Sequence, residues 1–143
     1  MSKYAKTKKY LSQVNKIDRR ITVKLLEAEK HRMMAMNISS TIKSDVVQTS
    51  KQNSFENAMI AACSAEEEAN RLIEQLYVKR EMIAMMINAL EDDEAIDVLT
   101  AHFMCDKTFE EMEGILHMSN GKLYQVYDRG LKEFEEKYGK QYL

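Results

Sequence analysis

The lack of proline is the feature that most restricts what this chain can fold into. None of its 143 residues is proline and only four are glycine, so few positions force a helix to break. Met, Ala, Leu, Glu and Lys dominate the composition, and all five are good helix formers. The alternation of polar and β-branched residues that marks strands is almost absent. The sequence therefore predicts an all-α protein.

Two long segments in the first ninety residues carry apolar side chains at steps of three and four. In the first segment they are Val14, Ile17, Ile21, Leu25 and Ala28, and in the second they are Ala69, Ile73, Leu76, Ile83, Ile87 and Leu90. The second series is a heptad pattern that also includes Arg80. Its apolar stem either carries the charged group out to solvent, or the guanidinium pairs with a carboxylate across the helix contact. Residues 37–54 between the segments are polar and predict a loop. Residues 1–90 are thus predicted to form a coiled-coil-like helical hairpin, closed within one chain or shared in a dimer.

Capping residues mark three helix starts in residues 91–143. Asp92 or Asp93 precedes a short apolar segment that ends near residue 104, and negative charge is favoured at a helix start. Thr108 and Glu111 have the spacing of a capping box, and Ser119 is a good N-cap for the next helix. These signals predict a three-helix bundle over 91–143.

The last predicted helix has two different faces. Leu123, Val126, Tyr127, Leu131 and Phe134 recur at helical spacing and predict a buried stripe. The opposite face carries amide, basic and aromatic side chains, of the kind that contact base edges and phosphates in a recognition helix. This face and the cap before it supply the candidate DNA-binding residues, which are Ser119, Asn120, Lys122, Tyr124, Gln125, Arg129 and Lys132.

The segment from Thr108 to Phe134 resembles a known family. Its pattern Thr-Phe-Glu-Glu-Met, Leu-His-Met-Ser, Leu-Tyr-Gln-Val-Tyr and Leu-Lys-Glu-Phe is similar to the region-four helix-turn-helix of bacterial sigma factors. Together with the long helices upstream, it resembles phage and prophage transcription regulators of the ArpU/RinA type. The family usually has alanine where this chain has Glu113 and Gly130, and glycine in the turn where it has His117.

This resemblance implies a DNA-binding transcription regulator of a phage or mobile element, acting in the cytoplasm of a bacterial host cell. Double-stranded DNA would be bound through the C-terminal helix-turn-helix. The N-terminal helices would serve for self-association into a homodimer or for contact with RNA polymerase. The residues themselves predict no enzymatic activity and no cofactor, because no set of catalytic side chains and no glycine-rich phosphate loop is present in the sequence.

The charge distribution favours a second interpretation. Residues 1–50 hold eleven Lys and Arg against four Asp and Glu, whereas residues 51–100 hold four against eleven and residues 101–143 six against eight. The basic segment is therefore at the N-terminus and not in the predicted recognition helix, although phosphate neutralisation supplies most non-specific DNA affinity. The basic segment either touches DNA or pairs with the acidic one. The alternative function is a non-enzymatic protein–protein adaptor whose helix-turn-helix is only structural.

Other chemistry is sparse in the sequence. His102, Cys105 and His117 lack the ligand set of a closed zinc site, so they are predicted to be structural, and no metal is predicted. Cys63, among Ala and Met, is predicted to be a small core residue. The methionines at 33, 34, 36, 82, 85 and 86 are predicted to fill a core or a helix interface. No apolar run is long enough to predict a membrane span or a secretory signal.

Overall fold

The computed structural model describes the backbone of residues 3–44 and 49–143, and the side chains of residues 3–37 and 53–143. The helices are α1 (Ala5–Leu11), α2 (Gln13–Ser44), α3 (Thr49–Asn88), α4 (Asp93–Leu99), α5 (Phe109–Leu116) and α6 (Asn120–Tyr142). A π-helical turn, Thr100–Met104, continues α4. Over these described residues there is no strand, which confirms the predicted all-α class. None of the described helices combines the length and apolar character needed to cross a membrane.

Two boundaries differ from the sequence prediction. The first predicted helix is divided at Ser12, whose hydroxyl and backbone amide both donate to the carbonyl of Lys8. The predicted loop over 37–54 is wrong at both ends, because α2 continues to Ser44 and α3 begins at Thr49. Polar residues without proline or glycine do not stop a helix, since each added residue gains a backbone hydrogen bond. Residues 45–48 of the predicted loop lie outside the described residues.

The chain divides into two compact units. The core unit comprises Met1–Asp18 and Val78–Leu143, and the arm comprises Arg19–Tyr77. Residues 1–18 and 78–90, which the sequence prediction assigned to the hairpin, thus belong to the same unit as the C-terminal helices.

The core unit is built around α6. The whole predicted stripe from Leu123 to Phe134 is buried. α4 and the end of α3 pack against one side of this helix, and α1 packs against another. The buried Thr7 of α1 donates a hydrogen bond from its hydroxyl to Glu135 over 3.2 Å. The ring of Tyr10 lies 6.0 Å from that of Phe134. α6 is therefore covered by α1, by α4 and by the last turns of α3.

Arg80 adopts one of the two arrangements that its sequence position left open. Its Nε lies 2.6 Å from Oδ1 of Asp18, and its Nη2 donates to the carbonyl oxygen of Met104 over 3.2 Å. The guanidinium thus links the first turns of α2, the last turns of α3 and the end of the π-helical turn. Its carboxylate partner explains how a charged residue is accommodated in a heptad series.

The arm buries small side chains and exposes large ones. Ala28, Ala35, Ala62 and Ala69 are buried, seven residues apart within each helix. Leu25, one of the apolar residues predicted to line the helical hairpin, is 53% exposed. The methionines at 33, 34 and 36 are also exposed. The prediction that this methionine cluster fills a core is wrong for a single copy of the chain. In the core unit, Met82 and Met85 are exposed as well, whereas Met86 is buried.

Candidate nucleic-acid interface

The predicted start of α5 is confirmed in detail. The Glu111 amide donates to Oγ1 of Thr108 over 3.2 Å, and the Thr108 amide donates to the Glu111 carboxylate over 3.3 Å. These two bonds form the predicted capping box. The pKa of the Glu111 carboxyl is held below its usual value, mainly because the Thr108 amide binds the charged form.

The turn between α5 and α6 is made by a non-glycine residue in a left-handed conformation. His117 ends α5 with φ 54° and ψ 43°, the backbone region that a glycine usually occupies at a helix C-terminus. A side chain there costs on the order of 1 kcal/mol. Ser119 then caps α6, accepting a hydrogen bond from the Lys122 amide over 3.3 Å. His117 and Ser119 thus set where α5 ends and where α6 begins.

Gly130 allows α6 to lie very close to α4. A Cβ atom at this position would be 3.0 Å from the Cβ of Ala95 and 3.1 Å from Cδ1 of Leu99. Real Cβ atoms rarely approach that closely, so the glycine permits the short distance between the two helices.

Three side chains on the second half of α6 bind the backbone where α3 gives way to α4. The Glu133 carboxylate accepts from the amides of Glu91 and Asp92, over 2.5 and 3.3 Å. Lys137 donates to the carbonyl of Ala89 over 2.6 Å, and Tyr138 donates to that of Met86 over 3.1 Å. These bonds satisfy backbone groups that helix ends leave unpaired. They orient α6 relative to α4.

Two of the predicted DNA-binding cations lie in ion pairs. Lys122 Nζ is 2.9 Å from a Glu94 oxygen. Arg129 Nε is 3.0 Å from an Asp92 oxygen and its Nη2 is 3.5 Å from Glu94. Hydrogen bonds from Arg129 lower the pKa of the Asp92 carboxyl, and those from Lys122 lower that of Glu94. The acidic start of α4 therefore neutralises one edge of the exposed face of α6.

Tyr124 packs over the first helix of the pair. Its ring is stacked on Phe109 at 4.4 Å with an interplanar angle of 12°, and 48% of the residue stays exposed. The neighbouring Tyr127 is buried, which raises the pKa of its phenol to about 12. The two tyrosines thus hold α5 and α6 together, and only Tyr124 presents a ring edge to solvent.

The remaining predicted contacts lie on the exposed face of α6. Asn120, Gln125 and Lys132 are exposed. Lys132 borders a surface depression together with Lys6 of α1 and with Glu135, Glu136 and Lys140 of α6. One edge of the face is therefore acidic at α4, and the other edge, at α1, is weakly basic, with three lysines against two glutamates. The sequence showed the basic segment but not its place, because no local pattern indicates that α1 packs on α6.

The cysteine and histidine positions indicate no metal site. No group of three His, Cys, Asp or Glu suited to a metal ion occurs among the described residues. His102 lies among the rings of Phe103, Phe109 and Tyr127, and its Nδ1 is 2.8 Å from the carbonyl oxygen of Lys107. Cys63 was predicted to be a core residue but is exposed, because its position faces away from the buried alanines of α3; Cys105 is exposed too.

Comparisons with known proteins supply no relative. The chain matches no protein-family model, no curated protein and no solved structure. What it does has to be argued from its own residues.

Proposed function

We propose that this protein is a DNA-binding transcription regulator of a phage or mobile element, in which α5 and α6 form a helix-turn-helix and α6 enters the major groove. One observation carries the proposal. α6 is fixed by a stripe of fully buried side chains from Leu123 to Phe134, while its opposite face exposes amide and basic groups. A reading helix needs this division, because base readout requires a rigid backbone behind an exposed polar face.

The ends of the two helices support the same proposal. The capping box of Thr108, the left-handed His117 and the cap at Ser119 place two helix termini within three residues. A short connection between two well-capped helices is the layout of a helix-turn-helix. The left-handed backbone expected of the family's turn glycine is present at His117 despite the change of residue.

In this proposal, some exposed residues of α6 contact base edges and others contact phosphates. Asn120 and Gln125 lie in the first two turns, where recognition helices contact base edges. Lys132 lies further along, where a side chain meets phosphates, and Lys6 of α1 extends the same basic edge. The basic N-terminal segment thus contributes phosphate contacts beside the reading helix.

DNA binding requires Lys122 and Arg129 to exchange their partners. Both side chains are 51% exposed, and exposed ion pairs contribute only about 0–1 kcal/mol each. Phosphate oxygens can therefore replace the carboxylates of Asp92 and Glu94 at small cost. The nearby carboxylates would still repel phosphates, so we expect modest affinity with a strong dependence on salt.

For the two long helices we propose an antiparallel hairpin. The contact between Asp18 and Arg80 sets a register. Ten residues along α2 from Asp18 is Ala28, and eleven residues back along α3 from Arg80 is Ala69. A further step of seven on each helix reaches Ala35 and Ala62, so the four buried alanines fall into two facing pairs. Small residues at facing positions let two helices approach closely.

The test is whether the protein binds the DNA that flanks its own gene. Binding is measured by gel shift and by fluorescence anisotropy over a range of salt concentrations. Replacing Gln125 with Ala is expected to cost about 1–3 kcal/mol on the preferred site and to relax its specificity. Replacing Arg129 with Ala is expected to weaken binding about equally on all sequences and to reduce the salt slope by about one phosphate. The matched control is Gln141→Ala, at an exposed position near the end of the same helix, and it should leave binding unchanged. Specific binding that neither Gln125→Ala nor Arg129→Ala changes would exclude α6 as the reading helix.

A protein–protein adaptor is the second candidate function. The ion pairs of Lys122 and Arg129 with Asp92 and Glu94 favour it, because they leave little unbalanced positive charge on one edge of α6. In this case the helix pair is only a structural bundle. Absence of any salt-dependent DNA binding by the parent chain and by Asp92→Asn, which removes the nearer of the two carboxylate partners of Arg129, would favour the adaptor.

A further inference from the structure

Gly121 lies on the most exposed side of α6. With 100° per residue, Gly121, Gln125 and Lys132 lie within about 40° of one another around the helix axis, opposite the buried stripe. All three are exposed. The ion-paired Lys122 and Arg129 lie nearer to α4. In the proposed complex, the first of these three positions is therefore the part of the first turn of α6 that comes closest to the floor of the groove.

Neither packing nor backbone conformation explains a glycine at position 121. Its φ is not positive, so it does not use the left-handed conformation that favours glycine. A Cβ added at Gly121 would meet no atom within 4 Å, whereas one added at Gly130 would approach Ala95 to 3.0 Å. Glycine weakens a helix relative to alanine. The chain therefore loses helix stability at Gly121 without any gain in packing inside the protein.

The missing side chain affects the surroundings of Gln125. Side chains of a helix lean toward its N-terminus, so that residue i+4 lies over the turn that holds residue i. Gln125 thus leans across the surface that a side chain at position 121 would fill. The glycine leaves this surface open and lets another molecule approach the helix more closely by about 1.5 Å, the length of one carbon–carbon bond.

We propose that Gly121 is a specificity-determining position of the reading helix. It keeps the first turn of α6 clear, so that base-pair edges lie close to the backbone and within reach of the Gln125 amide. Glycine suits a backbone that a ligand approaches closely, and glutamine suits a two-bond contact with adenine. The inference rests on the proposed function, because it takes α6 to be the helix that enters the major groove.

The experiment compares folding and DNA binding of the full chain with two matched pairs of variants. Gly121→Ala and Gly121→Leu enlarge the proposed position. Gly114→Ala and Gly114→Leu make the same changes at a glycine of α5 that is equally open. The probes are a duplex from the DNA that flanks the protein's own gene and an unrelated duplex of equal length. Fluorescence anisotropy measures binding, and thermal melting followed by circular dichroism measures folding.

Folding and binding are expected to change in opposite directions at Gly121. Both alanine variants should melt at a higher temperature than the parent, because each removes a helical glycine in open space. Gly121→Ala should weaken binding to the flanking duplex about tenfold, the size of one lost base contact, and Gly121→Leu should weaken it further. Binding to the unrelated duplex should change less than about twofold, because it rests on phosphate contacts. The Gly114 variants should leave both affinities unchanged.

A further variant tests whether Gly121 acts through Gln125. Gly121→Leu combined with Gln125→Ala should bind the flanking duplex about as Gly121→Leu does alone, since the two changes remove the same contact. Fully additive losses would overturn this part of the proposal.

The outcomes separate this inference from the proposed function. Specific binding by the parent that both Gly121 variants retain overturns the inference and leaves the proposed function standing. An equal loss on the two duplexes, or an equal loss in the Gly114 variants, overturns the inference as well. A parent chain that binds neither duplex overturns the proposed function and this inference together.

Discussion

The core unit and the arm are both made of helices, but they bury different side chains. The core unit buries large residues such as Phe134, Leu131 and Ile83, which are 0–1% exposed. Among the arm side chains that the structure describes, the buried apolar residues are alanines, while Leu26 and Met33 stay more than half exposed. Burial of large side chains is the main source of stability. The core unit therefore gains more stability from side-chain burial than the described part of the arm does.

The largest effect on stability is expected when one large apolar residue is truncated in each unit. Phe134→Ala should lower the free energy of unfolding by about 3–5 kcal/mol, because it leaves a cavity in a filled core. Leu26→Ala should change it by less than about 0.5 kcal/mol, because the side chain is exposed in one copy. Urea denaturation at low protein concentration measures both. Comparable losses would mean that the arm has a large-residue core of its own.

The proposed close packing at the buried alanines of the arm is tested by replacing one of them with a larger residue. Ala69 is 2% exposed, whereas Ala61, on the same helix, is exposed. Ala69→Leu should destabilise the arm by about 1–3 kcal/mol, since overpacking a close helix pair forces it apart. Ala61→Leu should stay within about 0.5 kcal/mol of the parent. Thermal melting followed by circular dichroism compares the two, and equal melting curves would show that the helices are not closely packed at Ala69.

Two glycines of α6 test close packing in the core unit. Gly130→Ala should lose about 1 kcal/mol net, since the clash with Ala95 and Leu99 exceeds the usual gain from removing a helical glycine. Gly121→Ala should instead gain up to about 1 kcal/mol, because nothing lies within 4 Å of its added Cβ. Urea denaturation should therefore give shifts of opposite sign. A stabilising Gly130→Ala would contradict the close approach of α6 to α4.

The smallest expected effect is electrostatic. Arg129 lowers the pKa of the Asp92 carboxyl, so the ion pair contributes stability that is present above the unfolded pKa of about 4 and is lost as pH falls through the lower folded value. Asp92→Asn keeps an N-cap for α4 but removes the charge. Near neutral pH the variant should melt at a slightly lower temperature than the parent, with a free energy of unfolding lower by less than about 1 kcal/mol. In strong acid the variant and the parent should melt at the same temperature. A difference that persists in strong acid would assign the effect to the cap.

The parts of this fold that the sequence predicted are those set by neighbouring residues. The capping box at Thr108, the cap at Ser119 and the buried stripe of α6 depend on spacings of three and four residues, and all were predicted correctly. The polar composition of residues 37–54 led to the wrong prediction of a long loop. Polarity describes which side chains prefer water, and it does not remove the backbone hydrogen bonds that extend a helix.

The surroundings of the candidate site could not be predicted in the same way. The pairing of Lys122 with Glu94 joins α6 to α4, and the basic edge at Lys6 exists because α1 packs on α6. Both depend on contacts between residues far apart in the chain, for which a single sequence has no local signal. Exposure of Leu25 was missed for a related reason, since apolar residues at steps of three and four show which face of a helix is apolar but not how wide a surface is covered.

The hydrogen bond between Thr7 and Glu135 spans 128 positions of the chain, and this has a consequence for the order of folding during synthesis. α1 is made before α6, which supplies the surface that buries it. Until then α1 is a seven-residue segment, too short to hold a helix in water. The contacts between α1 and α6 therefore form only after α6 has been made.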